Sequence, residues 1–196
     1  MKKLAISLVL TILFFSGCIS ITKELPAFST YSLNINDKKV SNKFYDISIK
    51  INEPKAINSL NSKAIMYSKD STSLESYALS RWSDRPSKLI QENIAKFLTK
   101  QNSYKLISTS NIKVLSDYVI NSEIQEFKHQ FVGNKSFAVF SIRVYLINEK
   151  TNSVVFKNFS YKKLLKENNA KNFVDTMNYL VSVFAIDLNK YIQSKV

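Results

Sequence analysis

Catalysis needs nucleophiles, bases or metal ligands at workable spacing, and this sequence offers few of them. It holds one cysteine, Cys18, and one histidine, His129. A single imidazole rules out His-based metal clusters, and a Ser/His/Asp triad would have to be built on His129. That residue falls in a strand near a hairpin, where it reads as a surface or pairing residue. Glu123 and Glu126 stand three apart in the same strand. Simple alternation sends them to opposite faces, a poor geometry for paired carboxylates. Only Gly17 and Gly133 are glycines, so no glycine-rich loop exists to cradle a phosphate. Lys162, Lys163 and Lys166 read as a solvated edge or turn. The expectation is a protein without catalytic residues, metal or cofactor.

The placement of Cys18 points to a different chemistry. Lys2 and Lys3 open the chain, and an apolar run from Leu4 to Phe15 is relieved only by Ser7 and Thr11. Ser16 and Gly17 then lead into the thiol. A positive start, an apolar stretch of about 7–15 residues and small residues before a cleavage point make an export signal. The run is too short to span a bilayer, which takes about 20 apolar residues. Cysteine directly after Ser-Gly resembles the lipobox of bacterial lipoproteins. That resemblance implies acylation of Cys18 and removal of residues 1–17. The several acyl chains of such a terminus, at about 0.8 kcal/mol per buried methylene, hold it stably in a membrane. Position two of the mature chain is Ile19 rather than Asp, which under the Asp retention rule permits sorting to the outer membrane.

The rest must stand by its core, because no second cysteine is present to form a disulfide. Of 196 residues, loss of 17 leaves 179, the size of one domain. The formal charge of +13 loses two lysines with the signal and becomes +11. Outside the cytoplasm that charge points away from nucleic acid and towards anionic head groups or acidic protein partners.

Residues 18–42 read as an acylated tether that ends in a short extended patch at Tyr31-Ser32-Leu33, and residues 43–196 as a single α+β domain. Tyr45, Ile47, Ile49 and Ile51 alternate as a half-buried strand, and Ala64 to Tyr67 form a second. Pro86 suits the first turn of a helix, with Ser83 or Asp84 near its cap. Leu89, Ile90, Ile94, Phe97 and Leu98 give that helix an apolar stripe ending near Asn102. Then come three long strands. In the first, Tyr118, Ile120 and Ile124 share one parity, while Phe127 and Phe131 share the other. The switch near Gln125 predicts a bulge. Val132 to Lys135 is a hairpin signal. Ala138, Phe140, Ile142, Val144 and Leu146 form a wholly apolar face in the second strand. The third runs from Val154 to Tyr161. A long helix carries Ala170, Phe173, Val174, Met177, Val181, Phe184, Leu188 and Tyr191 inward. The order predicts a mainly antiparallel twisted sheet with two amphipathic helices packed on one face.

Cys18, Tyr31-Ser32-Leu33, Glu53-Pro54, Ile65-Met66-Tyr67, Leu74, Tyr77, Arg81-Trp82, Tyr118-Val119-Ile120, Ile124 and Phe127 appear in that order. As an ordered set they resemble the ABC-type transport auxiliary lipoproteins over nearly the whole mature chain. The family includes the lipoprotein of the paraquat-inducible lipid-trafficking system, whose partners are MCE-domain proteins. The resemblance implies a non-enzymatic docking subunit at the outer membrane, facing the periplasm. Its partners would be an MCE-domain protein and the associated permease and ATPase; self-association as a homo-oligomer is left open. The alternative is an outer-membrane assembly or envelope-scaffold lipoprotein, similar in outline to the plug of lipopolysaccharide export or to a wall-synthesis regulator. Tyr77, Arg81 and Trp82 are the candidate partner-binding residues, since Trp, Tyr and Arg dominate hot spots and the stretch reads as a loop between strand and helix. Trp82 has a second reading, as a core residue beneath the helix.

Cys18→Ser is expected to abolish both acylation and signal removal by the lipoprotein route. Metabolic labelling with a fatty-acid analogue checks this, and label retained on the variant refutes the assignment.

Overall fold

The computed structural model describes residues 27–35, 43–109 and 115–196; the signal segment and Cys18 lie outside the described residues. Eight strands form one sheet: β1 Ser29–Tyr31, β2 Tyr45–Ile51, β3 Ala64–Ser68, β4 Glu75–Trp82, β5 Tyr104–Thr109, β6 Tyr118–Val132, β7 Lys135–Asn148 and β8 Val154–Leu164. Helix α1 spans Pro86–Gln101 and α2 spans Ala170–Gln193.

β6 organises the sheet. Along one edge it pairs antiparallel with β7 over its whole length, and β7 passes the ladder on to β8. Along its other edge two strands share it: β2 runs parallel to Tyr118–Ile120, and β3 runs parallel to His129 and Gln130. β4 and β1 extend the sheet beyond β3, and β5 beyond β2. The expectation of a mainly antiparallel sheet is therefore corrected. The pairings β1–β4, β2–β5, β2–β6 and β3–β6 are parallel, and the sheet is mixed. Side-chain alternation specifies which face a residue takes and carries no information on the direction of the neighbouring strand.

The bulge falls where the parity switch placed it. Register shifts between Ile124 and Glu126, leaving Gln125 as the extra residue. Ile120 and Ile124 before it, and Phe127 after it, are all buried, at 2, 4 and 2% exposure. One inserted residue thus keeps a 15-residue strand feeding a single core. Opposite it Ala138, Phe140, Ile142, Val144 and Leu146 are all buried. Gly133 turns the hairpin with φ 56°, a left-handed conformation that costs glycine little.

Both helices cover this face. Ile90 and Ile94 of α1 meet Phe184 and Leu188 of α2 above Ile51, Ile120, Ile142 and Val144. Phe140 packs instead under α2, edge-on to Phe184 at 5.4 Å. α1 starts at Pro86 as expected, but its cap residue is Arg85, which makes no side-chain cap bond. Glu53 serves that end: it accepts from Ser87 Oγ at 2.6 Å and pairs with Arg85 at 3.1 Å. A carboxylate there also complements the positive end of the helix dipole. The helix stops at Asn102, which takes the left-handed conformation at φ 52°.

Part of the stretch expected as tether belongs to the domain. β1 pairs with β4, and Leu33 and Ile35 just beyond it are buried in the core. Asn93 of α1 accepts from Ile35 N–H and donates to Leu33 O, while Asn178 of α2 accepts from Asn34 N–H at 2.6 Å. The segment straps both helices.

Phe97, 1% exposed, sits at the centre of the α1 stripe. Phe97→Ala is expected to cost about 3–5 kcal/mol, read as a lowered midpoint in chemical denaturation.

Candidate functional site

Tyr77, Arg81 and Trp82 lie in strand β4, not in a loop. The strand escaped notice because its pairing with β3 is irregular between Ala64 and Met66, which breaks the alternation. Its three candidates go to different places. Trp82 is 1% exposed and packs on Phe127 and Phe173, with ring centres 5.5 and 6.1 Å away. That is the core reading. Tyr77 is half-buried, and its hydroxyl lies 2.7 Å from His129 Nδ1. Arg81 is exposed, with its guanidinium 5.0 Å above the Phe28 ring. They form no common surface.

His129, expected as a surface or pairing residue, pairs with Ala138 and Tyr67 in the ladder and is fully buried rather than at the surface. The bulge accounts for this: past Gln125 the odd-numbered residues face the helices, and His129 follows Phe127 inward. It stacks on Phe173 at 5.4 Å and lies 4.3 Å from Phe131. Loss of water holds its pKa down at about 4, and burial pushes the Tyr77 hydroxyl up to about 12. Nε2 is buried without a hydrogen-bond partner among the described residues. A neutral imidazole walled by rings is a packing element with one polar contact, not a base poised for proton transfer.

The bulge also reverses the expectation for the two glutamates. Glu123 is level with Arg143 and Glu126 with Ser141, so they share a face. Each already has a neighbour: Tyr145 donates to Glu123 at 3.3 Å, and Lys128 pairs with Glu126 at 3.0 Å. Among the described residues no group of His, Cys, Asp and Glu gathers at metal-binding spacing.

The sheet face away from the helices offers a surface the sequence reading missed. On β7 and β8, Tyr145 stands opposite Phe156, and Ile147 opposite Val154. Val154 and Phe156 are 54 and 63% exposed. Beside them opens a cleft of about 350 Å³, lined by Tyr145, Ile147 and Val154 together with Asn52, Lys55, Asn121 and Glu123. Among the described residues β8 pairs only with β7, which leaves its outer edge without a partner strand there. The signal was the unbroken Val154-Val155-Phe156, too apolar for a solvated strand.

The fold is thus a mixed sheet under two helices, with an apolar patch exposed on the face away from them. A family model for the ABC-type transport auxiliary lipoprotein component matches residues 31–188, and the chain belongs to that family. Among solved structures, protein XCC0632 from Xanthomonas campestris superposes with a TM-score of 0.76 at 11% identity, covering 82% of this chain and 91% of the other. An uncharacterized protein gives a TM-score of 0.70 at 11% identity, covering 85% and 99%. At that identity the likeness is one of fold. No curated protein matches the sequence. Among the described residues no helix is long and apolar enough to cross a membrane.

The buried histidine makes stability depend on pH. In the unfolded chain the imidazole takes a proton below about 6.5, while in the fold it stays neutral down to about 4. The unfolded state then binds more protons, so stability is complete above pH 6.5 and falls as pH drops towards 4, by on the order of 2–3 kcal/mol. His129→Phe should flatten that part of the melting-temperature profile. An unchanged slope would show that other groups set it.

Proposed function

We propose that this chain is a non-enzymatic docking subunit of an ABC/MCE-type intermembrane lipid transport system, anchored to the outer membrane through acylated Cys18 and facing the periplasm. Residues 18–28 serve as the tether and the remainder as the docking domain. The observation that carries the reading is the exposed apolar strip of Val154 and Phe156, set beside a cleft on the uncovered sheet face of an auxiliary transport lipoprotein. Exposed apolar side chains next to a free strand edge offer a partner both burial and backbone pairing. The basic balance of the chain suits an acidic partner surface. Family membership supports a transporter complex as that partner, and an MCE-domain protein is the component that reaches across the periplasm.

Co-purification tests this. The lipidated full chain, tagged at its carboxyl end and extracted from membranes, is expected to bring down permease, ATPase and MCE proteins identified by mass spectrometry. Phe156→Glu should reduce their recovery about tenfold or more, with melting unchanged. Recovery of envelope-assembly or wall-synthesis proteins in their place would favour the scaffold alternative.

A further inference from the structure

The point at which the chain enters the domain lies at one edge of the sheet. β1 holds Ser29–Tyr31 in register with Ser80–Trp82, and the strap beyond it is bonded to both helices. Everything towards Cys18 therefore leaves from one fixed point at Ser29. Ten residues lie between the two, eleven Cα steps, a reach of at most about 40 Å even when fully extended. At this root Phe28 is 56% exposed and Leu79 46% exposed. Ser29 pairs with Ser80, which places Phe28 and Leu79 side by side one step further along.

One cation lies against these apolar side chains. Arg81 lies over the Phe28 ring, and its Nε donates to Thr30 Oγ1 at 3.3 Å. It has no carboxylate partner among the described residues. Apolar groups that enter the head-group boundary by about 5–10 Å, with basic groups left level with phosphates, are how an interfacial surface meets an anionic bilayer.

We propose that the β1–β4 edge, with Phe28, Leu79 and Arg81, rests against the anionic bilayer. β8 stands at the far end of the strand order β1-β4-β3-β6-β7-β8 and points its free edge away from the lipid, towards the periplasm. This rests on the reading of Cys18 as the lipid anchor.

The mature chain offers a direct test, since its sole cysteine is consumed by acylation. Leu79→Cys and Phe156→Cys each introduce a single reactive thiol at an exposed position. Each full-length lipidated variant is labelled with a polarity-sensitive fluorophore. It is then placed in phosphatidylethanolamine–phosphatidylglycerol vesicles, with or without nitroxide-bearing acyl chains. The expected result is blue-shifted emission and loss of fluorescence to the nitroxide at position 79, with neither at 156. Phe28→Cys supplies the same readout if Leu79→Cys fails to fold. Quenching at 156 alone, at both positions or at neither overturns the proposed orientation. Fatty-acid labelling of the same preparations separates the two ideas. Acylated protein without quenching at 79 discards the orientation and leaves the lipoprotein reading intact; protein that takes up no label discards both.

Discussion

One strand carries two obligations, and the fold depends on meeting both. β6 must keep an apolar side against the helices for 15 residues, and it must lend one edge to two different partners. The bulge at Gln125 reconciles them. Before it, even-numbered residues face the core beside β2; after it, odd-numbered ones do so beside β3. A regular strand would have turned Phe127, His129 and Phe131 to the open face and left the ring cluster around Trp82 without its floor. One-residue slips invert every side chain of a strand, so the position of the bulge is held by the whole core.

The polar groups of the chain serve the same architecture. Asp117 accepts from Ser48 N–H and Oγ, both at 2.8 Å, and pairs with Lys150 at 2.8 Å, which pins the start of β6 beside β2 and the turn after β7. These bonds hold its carboxyl well below the usual carboxylate range, with the Lys150 bond the largest cause. Glu53 closes the start of α1, and Asn93 and Asn178 close the strap. Glu53-Pro54 and Tyr31-Ser32-Leu33, two of the motifs on which the family resemblance rests, thus lie at structural joints. The open face of β7 and β8 carries no such joint, and its Val154 and Phe156 stay exposed.

What the sequence made legible follows from periodicity. Both helices, the core face of β7 and the bulge itself were visible because they are repeated patterns. Parallel pairing was not, since it joins residues far apart and leaves no local trace. β4 was hidden by its irregular register. His129 and Glu126 are a different case. The parity switch at Gln125, carried four residues further, turns His129 inward and puts Glu126 on the face of Glu123. Trp82 reached the core through neighbours, Phe127 and Phe173, that no spacing rule connects to it.

The shared edge of β6 has a consequence for how the chain is made. Ser48 and Asp117, which meet where β2 joins β6, are 69 residues apart in sequence. Contacts of such separation form late, after loop closure has been achieved. A polypeptide delivered amino end first can pair β3 with β4 and β2 with β5, but it lacks the strand that joins those two pairs until β6 has followed them out. The first half of the domain cannot complete its sheet on its own, and the second half, where β6, β7 and β8 are joined by short turns, is the part equipped to fold first.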